Sequence, residues 1–196
     1  MRIPINDYAA GAAVATDLVT TSPTVRVTGD ALPGPDALAA FLAEHDLRLD
    51  ALADGRPPTE EDVREVHFLR REVRGVIETE TAEQTVAGAS VLIRRAGRAP
   101  VLEREDDGRW QWRVPTAPDA PLADELAAFV AVGLLGAVRA LGHDRFRACE
   151  APGCRGVFVD TSRAGRRRYC MPDLCGNRVN VANHRARQHH LENVTR

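Results

Sequence analysis

The chain has 196 residues, 44% of them hydrophobic and 28% charged, enough for an ordinary buried core and for one medium domain beside a small one. Its longest uncharged apolar run, Leu126 to Val138, is too short to cross a bilayer, and Asp7 interrupts the start before any leader-like run develops. The formal net charge of −2 hides a division: residues 1–144 hold 15 arginines against 24 acids, whereas residues 145–196 hold 11 arginines against 4 acids.

In chain order, Pro33-Gly34-Pro35-Asp36 precedes apolar residues at helical spacing, Leu38, Phe41 and Leu42, which predicts a helix from Pro35 to about Leu47. Gly55-Arg56-Pro57-Pro58 marks a loop. Thr59 with Asp62 three residues later then resembles a capping arrangement for a helix through Val63, Val66, Leu69, Val73 and Val76. A further helix is expected over about Ala82 to Arg95, with Val86, Ser90 and Ile93 on one face. From Pro100 to Pro115 the period changes, and Asp106-Asp107-Gly108 separates two strand-like runs, a hairpin signal. Trp110 and Trp112 share a strand face; burial against helices is expected there, with a base-stacking platform as the other use. Asp119 to Leu141 predicts a long buried helix ending at Gly142.

Cysteine spacing carries the most chemistry. Cys149-x4-Cys154 and Cys170-x4-Cys175 are two close pairs separated by 15 residues, the layout of a tetrahedral thiolate site for one structural zinc ion. An iron site or unliganded buried thiols are the other readings. Gly153, Gly156 and Gly176 equip the turns, and Arg147, Arg155 and Arg168 are near enough in sequence to offset the thiolate charge. Without the metal, Val157, Phe158, Val159 and Tyr169 are nearly the whole core of the C-terminal segment. Four thiolates close the coordination shell, so a catalytic zinc is not expected. With no leader-like start, a reducing cytoplasm is the expected compartment, and disulfides are not expected.

The zinc module is expected to contain strands over Val157–Val159 and Arg166–Tyr169, followed by a helix from Asn177 to about Leu191. On that helix Val179, Ala182 and Ala186 form an apolar stripe. Asn177, Asn180, His184, Arg187 and Gln188 point away, with Arg178 and Arg185 at the boundary. Arginine and asparagine are the side chains that pair with guanine and adenine edges, and flanking arginines neutralise phosphates. Candidate nucleic-acid contacts are therefore Arg166, Arg167, Arg168, Asn177, Arg178, Asn180, Arg185 and Arg187.

Cys175-Gly176-Asn177-Arg178, together with Cys149-x4-Cys154, Phe158-x-Asp160-x-Ser162 and Arg167-Arg168-Tyr169-Cys170, resembles the CGNR zinc finger of bacterial proteins over about Phe146 to Arg187. Proteins with this finger commonly carry an N-terminal ABATE domain, regarded as a stress-induced transcription regulator. Residues 1–142 resemble one, with Thr16-Asp17-Leu18-Val19-Thr20-Thr21 similar to an early Leu-Asp-Phe-Val-Asn-Thr motif. The sequence departs from the pattern at Thr20, where asparagine is frequent, and at Asn180, where a basic residue is frequent.

The expectation is an α+β protein: a mainly helical domain with a β-hairpin over 1–142, then a small treble-clef-like or zinc-ribbon-like four-cysteine zinc module over 143–196, built from a hairpin and a C-terminal helix. The expected function is zinc-dependent DNA binding in transcription regulation, with a small-molecule or protein effector at the N-terminal domain and no membrane. A homodimer would suit paired half-sites, although no heptad supports one. The alternative is a protein or RNA interaction module. No P-loop, H-E-x-x-H, G-x-S-x-G or dinucleotide motif is present, so an enzyme is not expected.

Overall fold

The most apolar segment becomes the longest helix. The computed structural model describes residues 1–176. Its elements are β1 (Arg2–Pro4), α1 (Tyr8–Thr20), α2 (Pro35–Glu44), α3 (Glu60–Ile77), α4 (Ala82–Ile93), β2 (Val101–Arg104), β3 (Trp110–Pro115), α5 (Leu122–Leu141), β4 (Phe146–Ala148), β5 (Val157–Val159) and a π-type turn over Pro172–Gly176. This is the expected mixture of helix and sheet. Leu126, Ala127, Val130, Ala131, Leu134 and Ala137 of α5 are all buried, and the helix stops at Gly142, whose φ of 87° suits a residue without Cβ.

Helix α1 is not foreshadowed by periodicity, because its first half is mostly alanine and glycine. It packs through small residues instead: a Cβ on Gly133 of α5 would fall 2.4 Å from the carbonyl carbon of Gly11. The two backbones are therefore as close as glycine allows. Helix α3 begins with the anticipated capping box, in which the Thr59 hydroxyl accepts from the Asp62 amide (3.2 Å) and the Asp62 carboxylate accepts from the Thr59 amide (2.8 Å). Its stripe of Val63, Val66, Leu69, Val73 and Val76 is buried.

Helix α4 forms where expected but turns a different face inward. Thr85, Ala89 and Leu92 are buried, while Val86 is exposed. That face lies mainly against α5, and its approach to α3 is close, since a Cβ on Gly88 would meet Val76 Cγ2 at 2.8 Å. Thr85 tolerates burial because its hydroxyl is 2.6 Å from that of Thr79 and donates to the Thr81 carbonyl.

The strands pair antiparallel in the order β1-β3-β2, with Leu102 opposite Trp112 and Arg104 opposite Trp110. The hairpin is as anticipated; the environment of the tryptophans is not. Trp110 is 63% and Trp112 50% exposed, and Leu102 beside them is 47% exposed. Of the three alternate residues on that face of β3, only Val114 is covered by the core. The outer half of the hairpin projects past the helices. Glu125 in the first turn of α5 is fully buried yet satisfied. It accepts from the Thr116 hydroxyl (2.6 Å), the Ala51 amide (2.9 Å) and the Met1 amino group (3.0 Å).

Strands β4 and β5 pair antiparallel, Phe146 opposite Val159 and Ala148 opposite Val157. This corrects the expected strand pairing. The partner of Val157–Val159 is Phe146–Ala148, and Arg166–Tyr169 is extended chain outside any strand. Apolar alternation at Phe146 and Ala148 lets β4 pair, whereas the amide of Arg167 and the guanidinium of Arg147 tie the later segment down by other bonds. Phe146, Val157 and Val159 join the same hydrophobic core as the helices.

Candidate metal centre and its arginine surround

Two short loops bring the cysteines together. Cys149 and Cys154 lie between β4 and β5, where the Cys149 amide donates to the Gly156 carbonyl (2.8 Å) and the Cys154 amide to that of Ala151 (3.0 Å). Gly153 takes a φ of 71° in this turn. Cys170 precedes the π-type turn and Cys175 lies within it, where the Cys175 amide donates to the Met171 carbonyl (2.8 Å). The four cysteines are free thiols.

All four Sγ atoms lie within 4.8 Å of one another, and the separations Cys154–Cys170, Cys170–Cys175 and Cys154–Cys175 are 3.7, 3.8 and 3.8 Å. A tetrahedron of sulfurs at the zinc–thiolate distance of about 2.3 Å has edges of about 3.8 Å, whereas a disulfide brings sulfurs to about 2.05 Å. The spacing is that of ligands around an ion. Gly156 makes room for it: a Cβ there would lie 2.2 Å from the Cys170 sulfur. The cysteines are thus positioned to bind one zinc ion.

Thiolates packed this closely repel one another. Burial pushes the Cys170 thiol well up, and the charges of Cys149, Cys154 and Cys175 push it further. Burial also raises Cys154, reinforced by Cys149. At Cys149 burial acts the same way, but hydrogen bonds from the Ala151 and Cys170 amides and the neighbouring thiols outweigh it, and its pKa falls below the usual thiol value. A divalent ion would relieve this mutual repulsion and hold all four as thiolates.

Around the sulfurs, Val25, Ala151 and Phe158 form a small apolar shell, so the loop after α1 contributes directly to the metal module. Buried Asp160 organises the chain leading to the second cysteine pair. It accepts from the amide and hydroxyl of Ser162 (3.0 and 2.5 Å) and from the Arg167 amide (3.0 Å). Burial opposes its charge, yet these bonds and Arg145 hold its carboxyl below the ordinary carboxylate range. The Asp160-x-Ser162 pair noticed in the sequence is therefore a loop-fixing device.

The arginine run divides by role. Arg167 turns inward, donating to the Tyr169 and Cys170 carbonyls and lying 4.9 Å over the Phe158 ring. Arg168 is exposed and paired with Glu150 at 2.5 Å, while Arg166 is exposed with no ion pair among the described residues. Arg147 donates to the Asp144 and Gly165 carbonyls and lies 3.5 Å from Asp160. Asn177, Arg178, Asn180, Arg185 and Arg187, with the helix expected to carry them, lie outside the described residues.

Sequence reasoning passed over Arg70. It sits inside the apolar stripe of α3, is 6% exposed, and grips Asp30 through two bonds of 2.7 Å while donating to the Thr21 hydroxyl (3.0 Å). The available signal was its position seven residues after Val63 and three before Val73, a buried register for a helix.

Four thiols spaced for one zinc ion, on a β4–β5 pair packed against a mainly helical core, define a zinc-finger protein. A family model described as "CGNR zinc finger" matches residues 145–188, and the ABATE model, described as "Putative stress-induced transcription regulator", matches residues 12–139. The second match covers more than half of the chain, which therefore belongs to the ABATE family and carries a CGNR zinc finger. None of the curated proteins compared with it matches. No helix among the described residues is long and apolar enough to cross a membrane.

Proposed function

We propose that this protein is a cytoplasmic transcription regulator that binds DNA through its zinc module and performs no catalysis. The observation that carries the reading is Arg166. Its neighbours on the chain are fixed by Asp160, by Arg167 and by the metal ligand Cys170, while its own charge is exposed and unpaired among the described residues. A zinc-ordered segment presenting free guanidinium charge suits phosphate contact. The excess of 11 arginines over 4 acids in residues 145–196 supports the same partner. The closed set of four thiols gives zinc a structural role. Residues 1–142 would then form the effector-sensing unit and residues 143–196 the DNA-binding unit.

The test is fluorescence anisotropy of labelled duplex DNA with zinc-loaded full chain at two salt concentrations. Affinity should fall steeply with salt and vanish in Cys170→Ser. Salt-independent binding, or equal binding by that variant, would contradict the reading. A second reading, docking of a protein partner, is favoured by the exposed Leu102, Trp110 and Trp112 face, where aromatic side chains give large contact area.

A further inference from the structure

A cleft of about 430 Å³ opens where the helical core meets the zinc module. Val19, Ser22, Pro23 and Thr24 form one side, and Arg70, Arg71, Arg74 and Arg155 supply the rest. No carboxylate is among these lining residues, although the first 144 residues as a whole are strongly acidic. Arg70 is already neutralised by Asp30. Arg74 is likewise paired, with Glu78, whereas Arg71 and Arg155 have no ion pair among the described residues. Arg71 stacks 4.4 Å over Phe68 without an ion pair among the described residues. Arg74 uses Nη2 on Glu78, but its Nη1 is buried with no hydrogen-bond partner. Arg155 is exposed and, among the described residues, unpaired.

This arrangement is unfavourable by itself. Arg71 and Arg74 are three apart on α3, a spacing at which like charges repel, and Glu78 offsets only the charge of Arg74. A buried donor without an acceptor adds a desolvation cost. An anion in the cleft relieves both. The pocket has the size of small-molecule sites, and Val19 and Pro23 give it apolar walls. We infer that this cleft binds a small organic anion, a carboxylate or phosphate on an apolar body, with Arg71, Arg74 and Arg155 as its charge partners. Ser22 and Thr24, whose hydroxyls are 2.9 Å apart, also line the cleft.

The position suggests what the anion does, a role that rests on the regulator reading above. Arg155 lies between Cys154 and Gly156, in the turn that presents two of the sulfurs. An anion bridging α3 to Arg155 couples occupancy of the cleft to the order of the zinc loop.

The experiment titrates zinc-loaded full chain with phenyl phosphate, phenylacetate, inorganic phosphate and neutral benzyl alcohol by calorimetry, without DNA. One of the two aromatic anions should bind more tightly than inorganic phosphate, and benzyl alcohol should not bind; which anion wins distinguishes a phosphate from a carboxylate ligand. In Arg71→Gln/Arg155→Gln, two exposed positions, affinity should drop about tenfold or more, and Arg74→Gln should also weaken it. Arg163→Gln, exposed and outside the cleft, is the control with unchanged affinity. The bound anion should also slow zinc loss to a chelator. Equal binding of benzyl alcohol, no binding by either aromatic anion, or unchanged affinity in the cleft variants would each overturn the inference. Because no DNA enters the titration, failure of DNA binding leaves its outcome untouched.

Discussion

The hydroxyl of Thr16 on α1 accepts a hydrogen bond from the amide of Val159 on β5 at 3.0 Å while donating to the Ala12 carbonyl at 3.1 Å. One buried hydroxyl thus joins the helical core to the strand that supports the metal loop. Thr16 opens the stretch that resembles the early ABATE motif, so that stretch has a mechanical meaning: it is the seat of the zinc module. Two residues later Leu18 is fully buried, and Thr21 receives Arg70.

Replacing Thr16 by valine keeps its volume and removes the acceptor. The Val159 amide would be left buried and unpaired, which costs about 1–3 kcal/mol. Urea unfolding should show this loss. Thr16→Ser, which keeps the hydroxyl, should recover most of it; equal destabilisation by serine and valine would show that packing, not the hydrogen bond, is the link.

Gly156 offers a test of the metal geometry that leaves every ligand in place. A methyl there would sit 2.2 Å from the Cys170 sulfur and 3.3 Å from that of Cys154, inside the space the thiolates need. Gly156→Ala should therefore bind zinc more weakly in chelator competition and distort the absorption bands of the cobalt-substituted protein. Wild-type affinity and spectra in this variant would mean the sulfurs are arranged otherwise.

Much of this architecture is legible in the residues, and the exceptions share a cause. The α3 cap, the β2–β3 hairpin, the α5 helix and the cysteine spacing are local patterns. The α1 helix, the rotated face of α4 and the β4–β5 pairing depend on what meets what. Alanine and glycine carry no periodic signal until Gly11 meets Gly133, and the inward face of α4 follows from its packing on α5 and, at Gly88, on Val76 of α3. The exposure of Trp110 and Trp112 belongs to the same class. A hairpin read in isolation cannot say how far the covering helices extend. Arg70 was hidden because its partner, Asp30, is forty residues away.

That pair makes a pH prediction. Burial raises the pKa of Asp30, but the hydrogen bonds and charge of Arg70, with the Leu32 amide, outweigh it and set the value below the ordinary carboxylate range. A carboxyl depressed in the folded state stabilises the protein at pH above its unfolded value, about 3.9, and loses that contribution as pH falls through the folded value. Asp30→Asn also leaves the buried Arg70 without a counter-charge, so at neutral pH it should cost about 2–4 kcal/mol. The difference in unfolding free energy between wild type and variant should be widest at neutral pH and shrink below about pH 4. A constant difference across that range would rule out the ion pair as its source.

Neighbouring arginines give the sharpest test of DNA binding. Arg166→Gln removes an exposed charge with no ion pair or hydrogen bond among the described residues, whereas Arg167→Gln removes a guanidinium bound to two backbone carbonyls and stacked on Phe158. The first should leave zinc affinity and thermal stability unchanged, weaken duplex binding across sequences, and reduce the log–log salt slope by about 0.9, the signature of one lost phosphate contact. The second should lower stability and loosen the metal loop, with any effect on DNA following from that damage. If instead Arg166→Gln leaves the salt slope intact, the free charge beside the zinc site does not face a phosphate. The nucleic-acid reading would then lose the one exposed, unpaired arginine of the Arg166–Arg168 run on which it stands.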